Sequence, residues 1–558
     1  MTDATTTTQK SQKGEENDVG ISEHNENASV YQISTLRTTG FIVFFSLWIS
    51  LSGWMVNFDL GYGGTVLQMS SFKSTFGTCS MVPNDVTGKM EHVCKLTATA
   101  QSVVSLSSLF VAIGAGLSGI IGSYIGRRGT LHAGCVLIII GAAGQCGTAG
   151  NYVAYNACKS ISCVGIGLLN AGSPLYGVEV TPPSKRGALV AIYSIGTATG
   201  TLIVACVCYG TSQFIGDWQW RTPILLQIPL ALIYALGLFL FPESPRWLLI
   251  KGREEQARKS FGRFYNKDPY SDEITVQVQE VQTYLEVEKS TSSTTSWTEL
   301  FHQSYIRRTM ISFMPSIIAP LSGIALVGTY AAVFFAANGV SEPFLIQVYL
   351  GVCGLVGGIC GPAIVEYGGR RFASLLGFAV MSVCMLIFSA VASGVGSATE
   401  TARNTLIAFL CIWFFVYASC VASSHWLVAA EIHSVRLRGH GQASSVAVAS
   451  VLTFASNFWT PYMINPTAGN LGTKVGYFYF GLDIVGLILV FLFLPETARL
   501  SLEQIDDYFA SRRPAWRTST SRNKKIAKGE LYDIPPEAHL EARQQSKVQR
   551  GHKGQEET

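Results

Sequence analysis

Polar and apolar positions along this chain separate into long blocks rather than alternating over short distances. Twelve nearly uncharged apolar runs recur, near 40–64, 99–122, 130–150, 153–175, 188–212, 222–241, 310–336, 344–365, 372–394, 404–428, 441–464 and 473–494. Each is about 20 residues long, enough to cross roughly 30 Å of hydrocarbon as a helix. A membrane-spanning barrel would show short segments alternating residue by residue. These runs are continuous and rich in Gly, Ala and Ser, which let helices approach one another closely. The pattern predicts an all-α integral membrane protein with twelve transmembrane helices.

The polar stretches between the runs contain a repeat. Glu179–Gly187 reads EVTPPSKRG and Glu431–Gly439 reads EIHSVRLRG, each with an acid seven residues before an Arg-Gly. Upstream of each lies a GRR, at Gly126-Arg127-Arg128 and Gly369-Arg370-Arg371. Downstream lies Pro-Glu-Ser or Pro-Glu-Thr, at Pro242-Glu243-Ser244 and Pro495-Glu496-Thr497. Three motifs recurring in one order, at offsets of 243, 252 and 253 residues, make the chain two similar halves. The expected organisation is a polar N-terminal tail over 1–36, a six-helix bundle over 37–241, a linker over 242–309, a second bundle over 310–494 and a tail over 495–558. In the linker, GREEQARKSFGRFY and DEITVQVQEVQTYLEVEK read as short amphipathic helices against the inner face. The C-terminal tail opens with SLEQIDDYF, a further amphipathic helix, and then turns Lys-, Arg- and Gln-rich, which reads as a mobile, solvated segment.

Charge fixes the expected orientation. With 48% hydrophobic and 14% charged residues in 558, the composition is too apolar for a soluble protein of this size. With the N-terminus placed inside, 33 of 40 Lys and Arg fall on the inner side. Lys159 lies within a run, and six fall outside: Lys73, Lys89, Lys95, Arg221, Arg403 and Lys474. That asymmetry predicts both termini on the cytoplasmic side, most simply of the plasma membrane, with no cleaved signal before the first span. The net charge of +4 then reflects membrane topology and gives no reason to expect a nucleic-acid partner. Of thirteen cysteines, eleven sit in the runs as small apolar packers. Cys79 and Cys94 share the first outer loop, where an oxidising exterior would let them pair. The sequence offers no metal-ligand spacing, no phosphate loop and no nucleophile–base pair, so it points to no cofactor, no enzyme and no ATP-driven pump.

The repeated charges have a physical role of their own. Arg127, Arg128, Glu179 and Arg186 fall at the inner ends of first-half helices, and Arg370, Arg371, Glu431 and Arg438 at the same places in the second half. Acid and base held where water thins pair strongly in one conformation and separate in another. That behaviour suits an inner gate which locks when the protein faces outward. Glu243, Arg246 and Glu496 extend this network.

The motifs PLYGVEVTPPSKRG, PESPRWLL, VEYGGRRF, SHWLVAAEI with RLRG, and LPETARLSLEQI resemble those of the sugar-porter family of major facilitators, in its fungal branch. The resemblance covers about residues 40–510. It implies two six-helix bundles built of inverted three-helix repeats, with one central site of alternating access. It also implies roles for two charges within the membrane, Asp59 in the first span and Lys159 in the fourth. In proton-coupled members the matching positions hold an Asp and usually an Arg, and protonation of the acid frees the pair. Lys in place of Arg is not a neutral exchange, since Lys can itself lose a proton when buried. Asp483 in the last span is a weaker candidate, facing a lumen near the outer side or serving structure. Where the family carries an acid three residues before the first GRR this chain has Ser123, while Glu366 keeps its place, so a weaker first-half network is expected.

At the substrate site the resemblance thins. The seventh-helix amides of sugar porters become Ala319, Pro320 and Ala325, the fifth-helix glutamines become Ser194 and Thr201, and an eighth-helix Asn becomes Gly354. Trp426 matches the aromatic that stacks on a sugar ring. His425, Tyr330, Tyr193, Thr453 and Asn457 remain as polar liners. A buried polyol needs many hydrogen bonds, each unmet one costing about 1–3 kcal/mol. The expected function is secondary transport of a sugar or sugar-like solute, with proton symport leading. The alternatives are a non-sugar solute such as a polyol, organic acid or secondary metabolite, and a non-transporting nutrient sensor.

Overall fold

A computed structural model describes residues 39–527 and 531, apart from 84–89, 104, 149, 182–185, 293–296, 304, 338–341, 395–398, 434–436, 466–468, 501 and 512. The N-terminal tail therefore lies outside the described residues. Helix α1 (Gly40–Val66) begins where the Thr39 hydroxyl accepts from the Ile42 amide. A short α2 (Ser70–Phe76) then leads into an antiparallel hairpin, β1 (Thr78–Pro83) and β2 (Met90–Lys95). Cys79 stands opposite Cys94 in that hairpin, and the two form a disulfide.

After α3 (Ala98–Val103), the 41-residue α4 (Leu106–Cys146) takes in two of the twelve runs. It bends at Gly126, whose φ of +86° is open to glycine and strained for other residues. Then follow α5 (Tyr152–Val180), α6 (Arg186–Ser212) and the pair α7 (Trp218–Leu225) and α8 (Gln227–Leu238). Helices α4 and α5 meet so closely that a side chain on Gly167 would sit 2.8 Å from the Cα of Gly114. The linker forms α9 (Pro245–Ile250), α10 (Glu254–Tyr265) and α11 (Asp272–Ser292). Helix α10 buries Phe261 and Phe264 against Ile42, Phe45 and Phe241 of the first bundle, so it is packed rather than adrift.

The second half repeats the plan with α12 (Ile306–Leu321), α13 (Ala331–Ala337), α14 (Pro343–Gly368), α15 (Arg370–Gly394), α16 (Glu400–Val416), α17 (Ser423–Glu431), α18 (Arg438–Ile464) and α19 (Val475–Phe493). Among the described residues, nine helices are long and apolar enough to cross a bilayer, and one of these takes in the second and third runs. The other two predicted runs differ for physical reasons. The seventh is broken: α12 carries Pro315 and Pro320, Gly323 has φ +105°, and a π-helical turn at Ala325–Thr329 precedes α13. The eleventh, α18, has 27 residues but carries Ser444, Ser445, Ser450, Thr453, Ser456, Asn457 and Thr460. Broken or polar helices are tolerated at membrane depth where protein or a watery cavity surrounds them.

The tail differs from expectation. Beyond α20 (Leu502–Ala510) the chain does not leave the body of the protein. It turns at Ala515–Arg517 and forms α21 (Thr520–Ala527), with Ala515, Asn523 and Ile526 buried.

The two halves meet at the face opposite the GRR motifs. Ser102 Oγ donates to the Phe458 carbonyl at 3.0 Å, Tyr330 to the Gln101 carbonyl at 3.4 Å, and Tyr462 to Thr99 Oγ1 at 3.4 Å. Tyr209 reaches Glu342 at 3.4 Å. One continuous apolar core joins Phe58, Tyr62 and Val66 of the first half to Tyr330, Phe334 and Phe388 of the second. This face is closed.

Candidate functional site

Asp59 on α1 and Lys159 on α5 form an ion pair at 2.8 Å, their side chains 0% and 4% exposed. Each proton of the ammonium has a place. One goes to Asp59 Oδ2, one to the Asp59 carbonyl at 3.0 Å, and the third lies toward the Tyr62 ring, whose centre is 3.9 Å away. The carboxylate also accepts from Ser162 Oγ at 3.4 Å and lies 3.5 Å from Cys163 Sγ. Tyr62 in turn donates to Gln145 Oε1 at 2.9 Å. The residues around the pair were readable by spacing alone. Tyr62 is three residues from Asp59, and Ser162 and Cys163 are three and four from Lys159, which puts each on the same helix face as its partner. Gln145 carried no such signal.

The arginine-rich face is built twice from the same parts. In the first half, Arg127 grips Glu179 through Nε (3.0 Å) and Nη2 (2.8 Å), and Ser244 Oγ donates to the same carboxylate at 2.5 Å. Glu243 accepts from the Arg127 and Arg128 amides at 2.9 and 3.2 Å, capping the helix that restarts after Gly126. In the second half, Arg370 donates to Glu431 at 2.9 Å, and Thr497 Oγ1 donates to Glu431 at 2.7 Å. Glu496 caps the Arg370 and Arg371 amides at 2.9 and 3.2 Å. The three repeated motifs are thus one assembly. The GRR arginine holds the glutamate, the Pro-Glu acid caps the helix start, and the following Ser or Thr braces the glutamate.

Each of these pairs stays within its own half. With Ser123 in place of an acid, Arg127 has one acidic partner among the described residues, Glu179, engaged through two nitrogens, whereas Arg370 has two, Glu431 and, at 3.4 Å, Glu366. Arg371 instead donates to the Val490 and Phe491 carbonyls at the end of α19, and Arg128 lies over the Phe239 ring. Arg246 sits half-buried in α9. Arg186 and Arg438 open α6 and α18, and their side chains lie outside the described residues.

The glycines of the two GRR motifs make the caps possible. Gly126 and Gly369 have φ of +86° and +101°. A β-carbon at Gly126 would lie 2.5 Å from Glu243 Oε2, and one at Gly369 would fall on the Glu496 carboxylate. Gly126→Ala and Gly369→Ala are each expected to cost about 2–4 kcal/mol through strain and a displaced cap. Thermal unfolding of the detergent-purified protein measures this. Gly119→Ala, with open space around its site, is the control and leaves the midpoint unchanged.

The central liners fall into small groups. His425 on α17 meets Ser316 of α12 at 3.1 Å, and Ser312 of α12 meets Ser445 of α18 at 2.8 Å. The Tyr330 hydroxyl donates to the Asn457 carbonyl at 3.1 Å, while the Asn457 side-chain amide donates to the Thr453 carbonyl and its Oδ1 is buried without a partner. Ser194 and Thr201, seven residues apart, share one face of α6, and Thr201 bonds back to the Thr197 carbonyl. Tyr193 donates to Asn170 at 3.3 Å. The Trp426 side chain lies outside the described residues. The Phe414 ring fills the space a side chain at Gly354 would need, so an apolar group stands at that place. Ser316, Ser312 and Ser445 escaped the sequence reading because single serines in apolar helices carry no pattern. Asp483 does not face a lumen: it is fully buried, near Cys384 of α15 and Trp413 of α16.

Residues 45–509 match the family model described as "Sugar (and other) transporter". The chain belongs to the sugar transporter family. It is 30% identical to the probable glucose transporter rco-3 of Neurospora crassa, over 89% of this chain and 84% of that one. It is 27% identical to the high-affinity gluconate transporter ght3 of Schizosaccharomyces pombe, over 92% and 90%. Among solved structures, a partially occluded inward-open form of the xylose transporter XylE from E. coli matches with a TM-score of 0.67 at 20% identity, covering 82% of this chain and 99% of that one. That likeness gives the fold: two six-helix bundles of the major facilitator type. Within this family fold the Asp59–Lys159 pair belongs to the first bundle, and the paired arginine–glutamate assemblies sit at the helix ends opposite the closed face in both.

Proposed function

We propose that this sugar transporter family member carries a sugar or sugar-like solute by alternating access, with proton symport through Asp59 and Lys159. The arginine-rich face is cytoplasmic in this reading, and the membrane is the plasma membrane. The observation that carries the coupling is the buried 2.8 Å pair. Ionisable groups at such depth are costly and mark proton or ion pathways. A proton on Asp59 cancels its attraction for Lys159, and α1 and α5 are then free to shift relative to each other. Glu179 with Arg127 and Glu431 with Arg370 act as the inner gate, joined by Glu243, Arg246, Glu366 and Glu496. The solute contacts fall to His425, Trp426, Tyr330, Ser194, Thr201 and Asn457.

One observation favours a second reading. Phe414 beside Gly354, with Ala319, Pro320 and Ala325 in place of amides, leaves few donors for a fully hydroxylated ring. That composition suits a less hydroxylated solute, and the similarity to a gluconate transporter makes an organic acid one concrete case. Uptake of labelled hexoses, pentoses, polyols and gluconate in a transporter-deficient cell, with and without a proton uncoupler, separates the two. The sugar reading expects hexose or pentose uptake that collapses with the uncoupler. Uptake confined to gluconate or polyols overturns it in favour of the second.

A further inference from the structure

Among the described residues, side chains of the tail beyond α20 bond to the second-half assembly on and beside Glu496. Asn523 of α21 donates through Nδ2 to the Glu496 carbonyl at 2.9 Å and the Ala498 carbonyl at 3.0 Å. Thr518 Oγ1 accepts from the Glu496 amide at 2.9 Å. Thr520 Oγ1 donates to the Gly368 carbonyl at 3.0 Å, at the end of α14 and next to the left-handed Gly369. Asn523 is 2% exposed and Glu496 3%, so neither set of bonds competes with bulk water. Helix α20 anchors the segment from the other side: Gln504 donates to the Ile526 carbonyl, and Ile505, Tyr508 and Phe509 are buried.

The first half meets the same need with a different part of the chain. There the Glu243 carbonyl accepts from Ser260 Oγ of the linker helix α10 at 2.6 Å. Both halves must fix a glutamate at a Pro-Glu turn so that its carboxylate can cap an arginine-bearing helix. The linker does so for Glu243, and the tail does so for Glu496. A polar tail with nothing to hold would not bury an asparagine with both amide protons donated to the backbone of one turn.

We propose that Ala515–Ala527 is a strap that positions Glu496, with Asn523 and Thr518 as positioning residues. The strap thereby controls how readily the second-half gate rearranges. Its loosening passes from the Glu496 backbone to the cap on Arg370 and on to the Arg370–Glu431 pair. The positioning stands on the geometry; the effect on the gate rests on reading the arginine-rich face as one.

The test uses the full-length protein in lipid nanodiscs and needs no solute. Hydrogen exchange at the Arg370 and Arg371 amides is compared between the unchanged protein, Asn523→Asp, Thr518→Val, Thr518→Ser and Glu496→Gln. In parallel, spin labels at Ile215 and Glu400, on the opposite face in different halves, report the closed fraction. Asn523→Asp and Thr518→Val are expected to speed exchange at Arg370 and Arg371 roughly tenfold, leaving the first-half Arg127 and Arg128 amides unchanged. They also raise the closed fraction at the labelled face, in the direction Glu496→Gln does, while Thr518→Ser restores both. If Glu496→Gln changes exchange and distances while the strap variants change neither, the strap does not position Glu496 and the gate reading stands. If the strap variants speed exchange but no variant, Glu496→Gln included, moves the distances, the gate reading falls and the strap's control of it falls too.

Discussion

Asp59→Asn is expected to reduce uphill accumulation of solute by at least roughly 100-fold. Removing one partner of a buried ion pair leaves the other charge without compensation, at a cost of about 3–5 kcal/mol. Here the stranded group is Lys159, whose side chain is 4% exposed and whose remaining contacts are one carbonyl and the face of Tyr62. A single variant therefore mixes lost coupling with lost stability. The double variant Asp59→Asn with Lys159→Met separates them, because neutral replacement of a buried pair is often tolerated. Its thermal midpoint is expected to return to within a few degrees of the original. Accumulation is expected to stay lost, with downhill exchange surviving. A double variant that regained accumulation as well as stability would mean that the pair is only a structural tie.

The second large effect is expected at the gate. The described form is closed at the face opposite the arginines, with Glu431 held by Arg370 and Thr497 and Glu179 by Arg127 and Ser244. The gate reading gives these acids further partners across the two halves when the arginine-rich face closes, beyond the bonds of the described form, which stay within each half. Glu179→Gln with Glu431→Gln then weakens the form with that face closed and leaves the described one favoured. A hydrogen bond to a charged group contributes about 1.5–3 kcal/mol, so each substitution shifts the equilibrium roughly 10- to 100-fold. Spin-label distances between Ile215 and Glu400 are expected to collapse to the short, closed value, and the maximal uptake rate to fall with little change in KM. Distances that stayed broad, with unchanged uptake, would return these residues to plain orientation signals.

Much of this architecture was legible because the chain states it twice. The Glu179 and Glu431 segments, the GRR pairs and the Pro-Glu motifs could be matched by order and offset before any contact was known, and the structure joins them into one assembly per half. What the repeat did not convey was the role of Ser244 and Thr497, since a hydroxyl after Pro-Glu reads as a helix cap before it reads as a brace. The seventh span was legible as apolar but not as broken, because Pro315, Pro320 and Gly323 act through backbone geometry that hydropathy does not register. The strap was invisible for the opposite reason. Its segment is polar and basic, with only Ala515 and Ile526 buried as apolar anchors among its described residues, and much of its hold comes from directed bonds at Thr518, Thr520 and Asn523 that hydropathy does not register. The central site was the least legible, because back-bonded hydroxyls such as Thr201 and Thr453 look the same in sequence whether they meet a solute or their own helix.

The most direct test of the coupling is proton movement itself. Purified protein is reconstituted into liposomes with a pH-reporting dye inside, and the best-transported sugar of the uptake panel is added outside. The account predicts that the unchanged protein acidifies the interior as sugar enters, and that Asp59→Asn with Lys159→Met exchanges sugar with no pH change. Sugar entry without acidification in the unchanged protein, or acidification that persists in the double variant, would contradict it.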